Sequence, residues 1–223
     1  HRNPLFMAKS IATTDQLSGG RVTVGCGAGW MREEFEALNV PDFDARGRVT
    51  DEYIKVMLEC WQNDRASFDG DFIRFEGVAL DPKPVQRPHP PIWVGGESMP
   101  AIRRTAALGD GWYPFGSNPK FRMSTIDAFV ARRDKLYAEA ERIGRDPGSI
   151  ELAYNCAFHS EEAQSNSDGG RLLFTGSAEQ RAGDIVALAD AGVTTMIVNL
   201  PTPDLNETLE RVERFSVEVV PLL

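Results

Sequence analysis

Two spacings of apolar residues alternate along this chain. Short continuous apolar runs bounded by turn residues lie at Arg21 to Cys26, Ile92 to Val94, Gly111 to Tyr113, Ile150 to Phe158 and Val193 to Leu200. Such runs mark strands buried on both faces, as a parallel sheet requires. Between them apolar positions recur every three or four residues, the period of a helix with one buried stripe. Asn3 to Leu17 carries Leu5, Ala8, Ile11, Ala12 and Leu17, then Ser18-Gly19-Gly20 as a stop. Arg46 to Trp61 carries Val49, Tyr53, Val56, Met57 and Cys60 on one stripe. Ser98 and Pro100 suit the start of a helix bearing Ala101, Ile102, Thr105, Ala106 and Leu108.

A long helix is expected from Thr125 to Ile143, with Ser124 and Asp127 resembling a capping box. Ser177 and Gln180 form another box, opening a helix expected to bury Ala182, Ile185, Val186 and Ala189. Leu205 to Val219 closes the chain with Leu205, Leu209, Val212 and Phe215 on one face. Three stretches depart from the alternation. Phe68-Asp69-Gly70-Asp71-Phe72 has the Asp-Gly signal of a β-hairpin, Asp81 to Pro91 is a stiff proline-rich approach, and Ser160 to Gly170 is a polar loop. An acidic helical stretch follows Trp30, and a loop surrounds Pro41. Five strands alternating with helices define an α/β fold with a parallel sheet. Either an open doubly wound sheet or part of a (β/α)8 barrel fits the pattern, and in both the ligand sits at the carboxyl ends of the strands.

Composition narrows the partners. The 223 residues carry a net charge of −9, which argues against nucleic acid or an anionic membrane surface. A small-molecule ligand is expected, and an anionic one has to be held by local devices. Cys26, Cys60 and Cys156 are odd in number and contain no CxxC pair, so they read as reduced thiols of a cytoplasmic protein, with no metal site. One domain over 1–223 accommodates the chain. It begins with His1, so it is expected to start partway through a gene product.

The candidate chemistry gathers at strand ends. Gly95-Gly96 turns the chain after Ile92 to Val94, and Glu97-Ser98 leads into the next helix. A helix N-terminus presents unbonded N–H groups and the positive end of a dipole, which suits a phosphate. Gly25-Cys26-Gly27-Ala28-Gly29-Trp30 is also glycine-rich, but Trp30 stands where a dinucleotide fingerprint wants its third glycine. His159 is the histidine placed at a strand end for acid–base work, although a plain loop histidine is the commoner case. Cys26 reads first as an inert buried thiol, and Trp30 and Trp112 read first as packing residues.

Asn3-Pro4-Leu5 with Ala8-Lys9, Leu17 to Arg21, Gly25 to Trp30 with Glu33-Glu34-Phe35, and Pro88 to Gly96 with Gly109 to Trp112 together resemble the luciferase-like monooxygenase family. Within it the resemblance is to the branch using the deazaflavin coenzyme F420, with FMN as the alternative cofactor. The resemblance implies a (β/α)8 TIM barrel of which strands four to eight are present here, an N-terminally truncated member whose full-length form is a homodimer. By position it implies a phosphate turn at Gly95, Gly96, Glu97 and Ser98. It also implies a ring-side loop at Gly27, Ala28, Gly29 and Trp30, with Trp112 and Tyr113 on the substrate side. The catalytic glutamate of the sugar-phosphate and alcohol dehydrogenases in that branch falls at Trp30, so those two activities are not expected, and no catalytic residue is assigned. Arg46 and Arg48 are candidates for a polyanionic cofactor tail. The expected activity is hydride transfer to or from a small organic molecule. The alternatives are an FMN-dependent monooxygenase and a non-catalytic flavin-binding relative.

Overall fold

The computed structural model describes residues 1–40, 43–116, 118, 120–156, 159–166 and 169–223. Its contacts divide into two compact units, His1–Gly95 with Arg103–Gly111, and Gly96–Ile102 with Trp112–Leu223.

The first unit opens on helix α1 (Pro4–Ser18), where Asn3 Oδ1 accepts the N–H groups of Leu5 and Phe6 and Gly19 ends the helix at φ +66°. Strand β1 (Val24–Cys26) pairs in parallel with β4 (Ile92–Gly95), Val24 opposite Ile92 and Cys26 opposite Val94. β1 is shorter than the expected Arg21 to Cys26. The reason is local: the Arg21 N–H is given to Ser18 Oγ, and the Val22 carbonyl accepts from Gln86 Nε2. Helices α2 (Arg32–Ala37) and α3 (Arg46–Gln62) follow. Trp61, 1% exposed, donates its indole N–H to the Ala8 carbonyl at 2.9 Å and fastens α3 to α1 over a core of Ala8, Ala12, Ile54, Val56, Cys60 and Val94. Leu17, expected on the inner stripe, is 85% exposed in the last turn of α1, where Asp15 is the buried residue.

The hairpin forms as expected, with β2 (Ala66–Asp69) antiparallel to β3 (Arg74–Val78). Its tip is tied to α3 by Glu52, whose carboxylate accepts the N–H groups of Asp71, Phe72 and Ile73 at 2.9, 2.9 and 2.6 Å. The proline-rich approach is clamped by the fully buried Asp15, which accepts from Gln86 N and Nε2 at 3.0 and 2.8 Å. Burial alone would raise the Asp15 pKa, but those hydrogen bonds more than offset it and hold the carboxyl below its ordinary range.

Helix α4 (Met99–Leu108) and strand β5 (Gly111–Tyr113) lead into the second unit, followed by α5 (Ile126–Arg142), β6 (Glu151–Cys156), α6 (Ala178–Asp190), β7 (Val193–Val198) and α7 (Leu205–Arg214). β6 and β7 are parallel, with Ala153 opposite Thr195 and Asn155 opposite Ile197, and Phe115 bridges in parallel to Asn155. One face of these strands packs on the helices: Trp112, Phe129, Tyr154 and Phe174 form a series with successive ring centroids 5.7, 5.7 and 5.9 Å apart. Strand alternation therefore puts Tyr113, Phe115, Ala153 and Asn155 on the opposite face.

Three expectations are corrected in this unit. The N-cap of α5 is Thr125, whose hydroxyl accepts from Ala128 N, and not Ser124, whose carbonyl accepts from Leu173 N. The buried face of α6 is Arg181, Ala182, Asp184 and Leu188, while Val186 is 45% exposed and Ala189 lies at the surface. The helix is rotated because Asp184 faces inward to accept from Phe174 N and to pair with Arg171. On α7, Leu205, Leu209 and Val212 are exposed, and the α-helix gives way at Phe215 to a π turn over Phe215–Val219. The Ser177–Gln180 capping box is present as expected. The expected loop at Pro41, the last two residues of the strand drawn to Phe158, and positions 167–168 of the polar loop lie outside the described residues.

Candidate functional site

In the second unit, the turn after β4 has Gly96 at φ +108°, a backbone that side-chain-bearing residues rarely adopt. Its carbonyl accepts the Trp112 indole N–H at 2.9 Å. Ser98 stands before α4, its hydroxyl accepting from Ala101 N at 3.4 Å and its carbonyl from Ile102 N at 2.9 Å. The backbone N–H groups of Glu97, Ser98 and Met99 have no partner among the described residues, as expected at a helix start. The Glu97 side chain is buried, 2% exposed. Its carboxylate is spent on Phe115 N and on Asn118 Nδ2 at 2.5 Å.

Arg132 of α5 supplies the charge the sequence reading missed. Its Nη1 donates to the Glu97 carbonyl at 3.2 Å, and its guanidinium lies 4.6 Å over the Phe121 ring. No carboxylate pairs with it among the described residues. The turn therefore combines unbonded N–H groups, a hydroxyl and a cation, a set matched to a phosphate monoester. Helical spacing draws attention to the buried stripe of α5, and Arg132 lies just off that stripe. Only the fold brings it to Glu97.

In the first unit, Gly27, Ala28 and Gly29 border a cavity of about 500 Å³ with Pro4, Ile11, Phe35 and Tyr53. Gly29 is at φ +80°, and a Cβ there would lie 2.8 Å from the Phe35 ring. Cys26 faces the same cavity, and burial, partly offset by Arg104, pushes its thiol up to about 11, so it is protonated at neutral pH. Arg46 lines the mouth, stacked 3.9 Å from the Phe43 ring and donating to the Gly29 and Phe43 carbonyls. Arg48 is drawn to the hairpin, 3.7 Å from Asp71 and over the Phe72 ring. Gly95 ends β4. Trp30 is 80% exposed and is not among the cavity-lining residues, while Trp112 is fully buried with its N–H committed to Gly96.

His159, in the second unit, is committed as well. Arginine is only a donor, so the 2.5 Å contact of Arg181 Nη1 with Nε2 makes that nitrogen an acceptor and leaves the proton on Nδ1. Burial first, and then Arg181, lower its pKa.

A glycine turn leading from a strand of a parallel pair into a helix start is the arrangement of a β/α fold. Residues 1–168 match the luciferase-like monooxygenase family, and the chain belongs to it. It is 30% identical to an FMNH2-dependent dimethylsulfone monooxygenase of Pseudomonas putida, over 99% of this chain and 71% of that protein. Among solved structures, monooxygenase RslO1 of Streptomyces bottropensis matches with a TM-score of 0.76 at 22% identity, over 99% of this chain and 74% of that one. An F420-dependent secondary alcohol dehydrogenase, in complex with an F420–acetone adduct, matches at 0.74 and 19% identity, over 98% and 76%. The fold is thus the luciferase-like barrel type, and the chain is an enzyme of the flavin- or deazaflavin-dependent oxidoreductases. No helix among the described residues is long and apolar enough to cross a membrane.

Proposed function

We propose that this enzyme is a reduced-FMN-dependent monooxygenase acting on a small organic molecule. The observation that carries the reading is the Gly96–Glu97–Ser98 turn with Arg132, which suits the single phosphate of FMN. Reduced FMN, when bound, supplies the electrons that activate oxygen. The chain's own part is to seat the phosphate on the Glu97 and Ser98 N–H groups, neutralise it with Arg132, and hold the turn rigid through the Trp112 bond to Gly96.

Two observations move the preference from F420, which the residue pattern suggested, to FMN. A polyglutamyl tail needs basic groups at the site, and Arg46 and Arg48 are both engaged locally. A relative similar over nearly the whole chain is an FMNH2-dependent monooxygenase. The second reading remains an F420-dependent hydride transfer on the same scaffold, favoured by the stretches Gly25 to Trp30 and Pro88 to Gly96. Fluorescence titration with FMN and with F420 tests the choice.

A further inference from the structure

The face of β5, β6 and β7 that turns away from the helices carries a directed chain of hydrogen bonds within the second unit. Asn199, just beyond the end of β7, donates Nδ2 to Asn155 Oδ1 at 2.5 Å and to the Cys156 carbonyl at 3.3 Å. Asn155 donates Nδ2 to Tyr113 Oη at 2.7 Å. The Cys156 carbonyl can only accept, so it fixes which end of the Asn199 amide is nitrogen. That in turn fixes Asn155, and every member of the chain has one orientation. Asn155 is 5% exposed, in a strand whose neighbours Leu152, Ala153, Tyr154 and Cys156 are apolar or turned to the helices. A polar pair costs stability in such a place unless its orientation serves something. On the same face Phe115 is 45% exposed, edge-on to Tyr113 at 5.4 Å, and Ile197 is 37% exposed. After the internal bonds are counted, Asn199 Oδ1 and the second Nδ2 hydrogen of Asn155 have no partner among the described residues. The face thus offers an acceptor and a donor side by side between two apolar side chains.

We infer that Asn155 and Asn199, oriented through Cys156 and Tyr113, bind the pyrimidinedione edge of a flavin-type ring. Asn199 Oδ1 accepts the ring N3–H, and Asn155 Nδ2 donates to the adjacent ring carbonyl. Phe115 and Ile197 flank the ring's apolar part. Flavin and deazaflavin share this edge, so the inference rests on the reading that such a ring is bound and not on which one it is. Tyr113 is a positioning residue in this arrangement, while the two asparagines touch the ring.

The test is a fluorescence titration of the full chain with FMN and with an 8-hydroxy-5-deazaflavin mononucleotide, each beside its N3-methyl analogue. Methylation removes the N3 proton and blocks both contacts. In the unaltered protein it is expected to weaken binding about tenfold, the size of two neutral hydrogen bonds. In Asn199→Leu, which removes the N3–H acceptor alone, the unmethylated ring should lose about threefold, and methylation should then change affinity less than about threefold. Asn199→Ser and Tyr113→Phe, milder changes, should give intermediate penalties if the leucine variant does not fold. Equal binding of the methylated and unmethylated rings by the unaltered protein overturns the inference while leaving the cofactor reading intact. An undiminished methylation penalty in the folded variants also overturns it. If neither ring binds, the cofactor reading falls and this assignment falls with it.

Discussion

Replacing Gly96 by alanine isolates the geometry of the turn proposed to hold the phosphate. At φ +108° any side chain is strained, and holding a residue in such a region costs about 1–3 kcal/mol. The new Cβ would also lie 3.2 Å from Ala101 Cβ, so the first turn of α4 must give by a few tenths of an ångström. A domain with about 5–15 kcal/mol of stability survives that cost. Ligand binding is more sensitive, because a hydrogen bond to a charged phosphate contributes about 1.5–3 kcal/mol and depends on direction. Misaligning one of the Glu97 or Ser98 N–H groups should raise the FMN Kd by about tenfold to a hundredfold. Gly96→Val, with a branched side chain, should weaken binding more. Ser98→Ala, which leaves the turn in place, should cost about 1 kcal/mol of helix capping and weaken FMN less than Gly96→Ala does. Circular dichroism and urea unfolding establish that each variant is folded, and fluorescence titration reads the Kd. A folded Gly96→Ala protein with unchanged FMN affinity would refute the assignment of this turn to the phosphate.

Other consequences can be checked separately. Arg132→Met should weaken FMN about tenfold or more and flatten the salt dependence of binding, and a salt dependence equal to that of the unaltered protein would argue against a phosphate contact. His159 has a folded pKa below its unfolded value near 6.5, so its stability contribution is complete above that value and is lost as pH falls through the folded pKa. Urea unfolding at pH 7.5 and pH 5 should therefore show a smaller acid loss in His159→Gln than in the unaltered protein, and equal losses would contradict the Arg181 contact as described. Cys26, with its thiol at about 11, should resist iodoacetamide at pH 8 in the folded protein, and mass spectrometry showing rapid alkylation would place it in a different environment. Glu52→Leu removes the acceptor of three hairpin-tip N–H groups, so hydrogen exchange at Asp71, Phe72 and Ile73 should accelerate selectively.

The order of elements was legible because each one carries a strong local signal. Asn3 before Pro4, the Asp69-Gly70 hairpin turn and the Ser177–Gln180 box all specify their structures through bonds within a few residues. The turn at Gly96 and the helix start after it were legible for the same reason, since Gly95, Gly96, Ser98 and Pro100 stand close together. What escaped depends on contacts distant in sequence. Helical periodicity ranks α6 positions by hydrophobicity, yet Asp184 turned inward because Phe174 N and Arg171 reach it from a loop. Serine and threonine both suit an N-cap, and Leu173 decided between Ser124 and Thr125 by taking the Ser124 carbonyl. Arg132, Asn155 and Asn199 carry no motif. Their chemistry exists only once α5 meets Glu97 and β6 lies beside β7. Trp112 was legible as important but not in what it does, because strand alternation alone does not say which face of β5 meets the helices.

The most direct test of the central claim is a paired fluorescence titration of the unaltered chain with FMN and with F420 at one salt concentration. The account predicts that FMN binds more tightly, and that Arg132→Met removes most of that advantage. Tighter binding of F420 would contradict the FMN reading, and failure of both to bind would contradict the assignment of the turn at Gly96 to a cofactor phosphate.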